Sequence, residues 1–327
     1  MLPVIAFDHV RFKEEMVKQS PEKCYNKSHI HGSCHVSEPL NKASVAKEVP
    51  IMLQFGIPVL VENDTLRENV DLCKELGFNF IELNTNFPEY GLEALEDSEP
   101  LLKAAEQAHI YYTIHLDENM DIADFNPLVR SAYLESVRRI IEAAKKLTPL
   151  IDSYGDPSQP LTLNMHMNHG IHMTLPDRIV QMYERNFDNY MQSFRTFRDR
   201  CEEWIGDSNI VVSVENTTGY LEFEKKAIEL LIESPRFGLT WDIGHSRANG
   251  GGDIPFILSH QEKLRHFHIH DGSAQPPRDH QPLGTGDIDL PGVLSLAQKV
   301  NAHCLIEVKT TDALRQSQKW LRQRDYL

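Results

Sequence analysis

The chain has 327 residues, 41% of them hydrophobic and 25% charged, with a formal net charge of −15. That is the profile of a soluble globular protein of one large or two ordinary domains. The acidic balance argues against a nucleic-acid or anionic-membrane partner, either of which usually meets a basic face; no apolar run approaches the roughly 18 residues of a membrane span.

In chain order, residues 1–49 hold no convincing strand, and KCYNKSHIHGSCHVSEPLNK within them is polar and turn-rich. The start, MLPVIAFDHVRFKEE, has neither the basic region nor the small-residue cleavage site of a secretory signal. We read 1–49 as an irregular N-terminal extension and 50–327 as the catalytic domain. Cys24, His29, His31, Cys34 and His35 are zinc-ligand types, but their spacing fits no closed site and favours a polar, His-containing loop. The five cysteines, completed by Cys73, Cys201 and Cys304, follow no disulfide spacing, so a reduced, cytoplasmic setting is expected.

From about residue 50, short β-branched or aromatic runs alternate with helix-period segments. Strands are expected at 51–55, 78–83, 110–115, 161–166, 210–215, 237–242, 264–270 and 302–307. Helices are expected at 65–76, 99–108, 127–146, 177–204, 222–233, 253–260, 291–299 and 311–324. The 127–146 segment carries Leu128, Tyr133, Leu134, Val137, Ile140, Ile141 and Ala144 at helical spacing behind Pro127, a residue suited to a first turn. Strict alternation of strand and helix predicts an α/β fold, a (β/α)8 TIM barrel. A doubly wound open sheet is the rival; it gathers its ligand at one switch point and needs no functional residues after many different strands.

Six of the expected strands end on metal-ligand residue types. YYTIHLD ends on His115, LTLNMHMNHG on His166, IVVSVENTTG on Glu215, FGLTWDIGH on Asp242 and His245, LRHFHIHDG on His268 and HCLIEVK on Glu307. Such side chains are rarely buried without partners, and in a barrel the C-terminal strand ends converge. Glu215, Asp242, His268 and Glu307 supply three carboxylates and one imidazole, a complete ligand set for one divalent ion such as zinc or manganese. His115 and His166 lie to one side and suit a second ion; His245 and His280 suit a third position. His266 and His270 share the strand face of His268. The Gly-rich LGTGDID (283–289) is expected to shape the loop after the seventh strand, with a phosphate cradle as the alternative. Phe87, Trp241 and Phe267 are candidate apolar walls for a ring or members of the core.

In the order IHLD, NMHMNHG, VENTTG, WDIGHSRANGG, HIHDGS, RDHQPLGTGDID and IEV, residues 50–325 resemble the xylose-isomerase-like TIM-barrel superfamily. That superfamily contains sugar-phosphate isomerases and epimerases and the apurinic endonuclease family 2 (endonuclease IV type) enzymes. The resemblance implies that Glu215, Asp242, His268 and Glu307 are the shared metal quartet, and that His115, His166, His245 and His280 match the extra ligands of the three-zinc endonuclease branch. That branch has an aspartate two residues before the histidine matched by His280; here Arg278 stands there, with Asp279 beside it. A guanidinium repels a cation and suits a substrate anion instead. The expected function is therefore a metal-dependent isomerase or epimerase of a sugar-like hydroxy-ketone, with Glu215 and Glu307 exchanging the proton, His245 and Arg278 orienting the substrate, and one bound ion. A phosphodiesterase with two or three zinc ions is the alternative, and a non-catalytic ligand-binding barrel a third.

Overall fold

A computed structural model describes residues 52–327. The expectations for residues 1–49, their cysteines and histidines included, lie outside the described residues. Eight parallel strands close into a barrel: β1 (Gln54–Pro58), β2 (Phe80–Asn84), β3 (Tyr111–His115), β4 (Leu161–His166), β5 (Ile210–Glu215), β6 (Phe237–Asp242), β7 (Leu264–Ile269) and β8 (His303–Ile306). Each strand pairs with its sequence neighbours, and β1 pairs with β8 to complete the ring. Such strands are buried on both faces, and the tract IVVSVE of β5 is buried throughout.

The helices that cover the barrel are α1 (Leu66–Leu76), α2 (Glu99–Ala108), α3 (Pro127–Tyr154), α4 (Phe187–Ile205), α5 (Glu222–Ile232), α6 (Ile254–Ser259), α7 (Leu290–Val300) and α8 (Thr311–Arg322). Local chemistry sets their ends. Thr65 and Glu68 form a reciprocal capping box at the start of α1, and Gly77, at φ 74°, closes it in the left-handed region. α3 runs past the expected 146 and through Pro149, because Leu147, Leu150 and Ile151 continue its buried stripe. Among the described residues no helix is long and apolar enough to cross a membrane.

Three expectations need correction. The first strand is Gln54–Pro58 rather than 51–55. The expected helix 177–204 begins only at Phe187; ahead of it stand an antiparallel hairpin (His172–Thr174 with Ile179–Gln181) and a short helix, Met182–Arg185. Pro176 and Asp177 make the hairpin's turn, in which Leu175 N donates to Arg178 O, and proline with its fixed φ favours a turn over helix there. The segment after β6 holds two short helices, Ile243–Ala248 and α6, where one at 253–260 was expected.

Candidate metal centre

Register places the ligand-type residues level with one another at the C-terminal rim. His166 lies opposite Glu215 in the β4–β5 pair, and Asp242 opposite His268 in the β6–β7 pair. Glu307 follows the last residue of β8, and its N–H is held by Ile269 O. The strand ends therefore converge on one spot: Glu215, Asp242, His268 and Glu307 each offer an atom within 4.8 Å of the other three. His268 Nδ1 is 2.9 Å from Glu307 Oε2 and 3.4 Å from Glu215 Oε2. Glu215, Asp242 and His268 are almost wholly buried.

The carboxylates and imidazoles of the cluster shift one another strongly. Burial alone would raise the Glu215 carboxyl, yet the imidazoles of His268, His166 and His115 hold it well below the ordinary carboxylate range. Burial likewise opposes ionisation of Glu307, and His268 and Lys309 overcome it. His268 is pushed the other way: against burial, the Glu215, Glu307 and Glu82 carboxylates lift its imidazole well above its usual value. His268 Nδ1 and Glu307 Oε2 are buried without a properly angled hydrogen bond. Unmet donor and acceptor atoms facing one another in a dry rim, from three carboxylates and one imidazole, fit a divalent ion.

The flanking histidines are also brought in. His115 Nε2 and His166 Nε2 sit 3.5 and 3.3 Å from Glu215 Oε2, so Glu215 joins these two histidines to the quartet. Burial lowers the His115 imidazole, but the hydrogen bond and charge of Glu215 raise it to about 9. On the other side His245 Nδ1 lies 3.2 Å from Asp242 Oδ2. Against the effect of burial, Glu215 and Asp242 raise His245 to about 9. Asp242, His245, His270 and His280 form a further close group.

A second antiparallel hairpin, Asp271–Ala274 with Pro277–Gln281, carries this flank. His280 has a left-handed backbone, φ 49°, uncommon for a residue with a side chain. That twist lets its N–H donate to His270 Nδ1 at 2.6 Å while the two rings stack at 4.3 Å. His270 Nε2 is 2.9 Å from Asp242 Oδ1. Gly244 makes room for this ring, since a Cβ there would meet His270 Cε1 at 1.9 Å. Arg278 lies exposed on the hairpin arm, opposite Ser273, and it is its neighbour Asp279 that reaches His280, at 3.1 Å.

The loop LGTGDID does not offer its N–H groups to a phosphate. Gly284 N and Ile288 N already donate to the Asp271 carboxylate, which acts as the loop's internal anion. Trp241 and Phe267 are core side chains, 5.9 Å apart between ring centroids. Phe87 is half-buried and packs near Tyr90.

Four polar residues of the site escaped the strand-end pattern. Asn164, inside β4, donates to Glu215 Oε2. Asn216 binds Asp242 through both its amide and the Asp242 backbone. Lys309 Nζ lies 2.7 Å from Glu307 Oε1. Glu82, inside β2, contacts His266 and His268 at 3.1 and 3.2 Å. An available signal was a charge inside the apolar run FIEL.

A closed parallel (β/α)8 barrel with an acidic and imidazole cluster at its C-terminal mouth defines a barrel of the enzyme-bearing type. Residues 70–324 match the family model for the xylose isomerase-like TIM barrel, and the chain belongs to that family. Among solved structures, a D-tagatose 3-epimerase-like protein superposes with a TM-score of 0.63 at 20% identity, over 83% of this chain and 96% of the other. The 3-keto-D-glucoside 4-epimerase of E. coli gives 0.62 at 16% identity, over 83% and 99%. The D-psicose 3-epimerase of Clostridium cellulolyticum H10, solved with D-tagatose, gives 0.61 at 12%, over 84% and 99%. These likenesses show the shared fold. Among curated proteins none matches the chain.

Proposed function

We propose that the chain is a divalent-metal-dependent isomerase or epimerase of a sugar or sugar-like hydroxy-ketone. The observation that carries the reading is the convergence of Glu215, Asp242, His268 and Glu307 at the barrel mouth. These four residues would hold one ion, manganese or zinc by donor type. When bound, such an ion supplies Lewis acidity, favouring loss of the proton on the carbon next to a carbonyl. The chain's own carboxylates then move that proton: Glu215 and Glu307, on different sides of the rim, take it and return it. Asn164 on Glu215 and Lys309 on Glu307 each hold one oxygen of these carboxylates, which orients the other. His245 orients the substrate oxygens, and Arg278, on its exposed arm, meets the outer end of a substrate. The sugar epimerases among the similar structures agree with this substrate class.

Solvent-deuterium incorporation tests it. With manganese or zinc present, the chain is expected to exchange a carbon-bound proton of D-tagatose, D-psicose or another ketose. Glu307→Gln should lower that exchange by about 100-fold or more, the range of a lost acid or base. Exchange that continues at the unaltered rate in Glu307→Gln would remove Glu307 from its role. A second reading, a multi-zinc phosphodiesterase, draws on the two flanking groups, which leave room for more than one ion. Cleavage of an abasic-site oligonucleotide, with two or three ions per chain and no ketose exchange, would establish it instead.

A further inference from the structure

One buried acid belongs to neither the rim nor the surface. Glu82 points into the barrel from β2, is 2% exposed, and lies below the cluster among His266, His268 and Thr113. Glu82, His266 and His268 are close enough to suggest an ion site of their own. Three observations speak for another role. Both Glu82 oxygens have close neighbours: Oε2 accepts a hydrogen bond from Thr113 Oγ1 at 3.0 Å and lies 3.1 Å from His266 Nε2, and Oε1 lies 3.2 Å from His268 Nε2, the two ring approaches being charge contacts without hydrogen-bond geometry. The pocket is sealed, with His266, His268 and Thr113 at 0% exposure. His268 also turns its other nitrogen, Nδ1, towards Glu307 and Glu215.

We propose that Glu82 is the positioning residue of the metal centre, holding the His268 ring so that Nε2 keeps its hydrogen and Nδ1 presents its lone pair to the ion. The inference rests on the metal-centre reading above. The physical reason is lone-pair repulsion. With an ion in place of hydrogen on Nδ1, beside Glu307 and Glu215, the ring's one hydrogen is left for Nε2, where a lone pair would meet the buried Glu82 oxygen at 3.2 Å. The approach is bent rather than linear, so its strength is that of a charge facing an N–H dipole. Thr113 completes the arrangement by holding the carboxylate plane. Carboxylate support of a ligating imidazole fixes its tautomer and raises its basicity, typically worth 10- to 100-fold in metal affinity. No other ligand of the quartet is an imidazole, so the device acts where tautomer choice matters.

Calorimetric titration of the chelator-stripped full chain with Zn2+ and with Mn2+ tests it. Glu82→Gln keeps the shape, loses the charge and should bind either ion about 10- to 100-fold more weakly, with Thr113→Val falling between it and the unaltered chain. Imidazole 15N spectra of the Zn2+-loaded chain, with His268 assigned by its loss in His268→Gln, should show a retained Nε2–H and a metal-bound Nδ1. Should Glu82→Gln fail to fold, Thr113→Val and the spectrum of the unaltered chain decide. Affinity in folded Glu82→Gln within twofold of the unaltered chain, or coordination through Nε2, would overturn the inference and leave the centre standing. An unaltered chain that takes up neither ion would overturn the centre itself and this inference with it.

Discussion

The two flanks of the barrel mouth are built from different materials. On one side His115, His166 and Glu215 stand at the ends of adjacent strands, fixed by sheet register and backed by Asn164. On the other, His280 and Asp279 ride on a hairpin arm, and the Asp279 side chain is 47% exposed. A sheet holds a ligand to fractions of an ångström because each strand is bonded on both edges; an exposed arm holds it only as well as its few contacts allow. The hairpin offsets this with three anchors at one point: the left-handed His280 backbone, its bond to His270, and the stack of the two rings. On the reading proposed above, the strand side suits an ion that must sit still, and the hairpin side suits contacts that vary with substrate.

The sharpest break of that contrast is Glu215→Gln. Glu215 belongs to both the quartet and the His115–His166 group, so one substitution removes a charge from each. Removing one partner of a buried charged cluster costs about 3–5 kcal/mol, roughly two to three and a half orders of magnitude if it falls wholly on ion binding. Ion content after dialysis, read by mass spectrometry, should fall to background. Retention of a full equivalent would mean that the strand side is not where the ion sits.

This contrast also explains what the sequence made legible. Strand-end ligands announce themselves because a His, Glu or Asp interrupts an apolar run, and the period of the sheet says where the run ends. The alternation of eight strands with eight helices pointed to the barrel, and six such ends, those of Glu215, Asp242, His268 and Glu307 among them, pointed to the cluster at its mouth. The hairpins were not legible: short pieces such as Ile179–Gln181 and Pro277–Gln281 are too brief to show alternation, and the first was absorbed into the expected helix 177–204. Glu82 and Asn164 were missed for the opposite reason. They lie within strands, where Asn164 meets Glu215 on the neighbouring strand and Glu82 meets His266 and His268 across the barrel, and no linear pattern records which side chain meets which. Arg278 shows the limit of aligning motifs, since its neighbour Asp279 is the one that reaches His280.

Acidity gives a second, smaller test. His115 and His245 are raised to about 9 by the carboxylates around them. A folded-state value above the unfolded one means stability that is fully present below about pH 6.5 and is lost as pH climbs through 9. Glu215 and Glu307, held below the ordinary carboxylate value, contribute stability that is present above about pH 4.5 and is lost in stronger acid. The ion-free chain should therefore be most stable between those limits and lose a few kcal/mol on going from pH 6.5 to 9.5. An ion needs the unprotonated imidazoles, so its stabilising effect runs the other way and grows with pH. Thermal melts of stripped and Zn2+-loaded chain should diverge by roughly 5 °C or more over that interval. In His115→Gln the stripped chain should show a flatter alkaline decline; an unchanged decline would mean that the strand-side imidazole carries no such charge.

The smallest expected effect is on the hairpin. Asp279 Oδ1 lies 3.1 Å from His280 Nδ1, but burial and solvent divide its surroundings. Its carboxyl is held below the usual value: burial works to raise it, and the His280 imidazole outweighs that effect. Water screens a pair this exposed to at most about 1 kcal/mol, a factor of roughly five. Asp279→Asn keeps a hydrogen-bond acceptor for His280 and removes the charge, so ion affinity should change by less than that factor, with a larger effect on KM than on kcat for ketose exchange. A loss as deep as that of Glu215→Gln would instead make Asp279 a ligand, displaced by one residue from the place Arg278 occupies. The hairpin would then be part of the metal centre rather than its rim, and the multi-ion reading would gain the carboxylate it lacks.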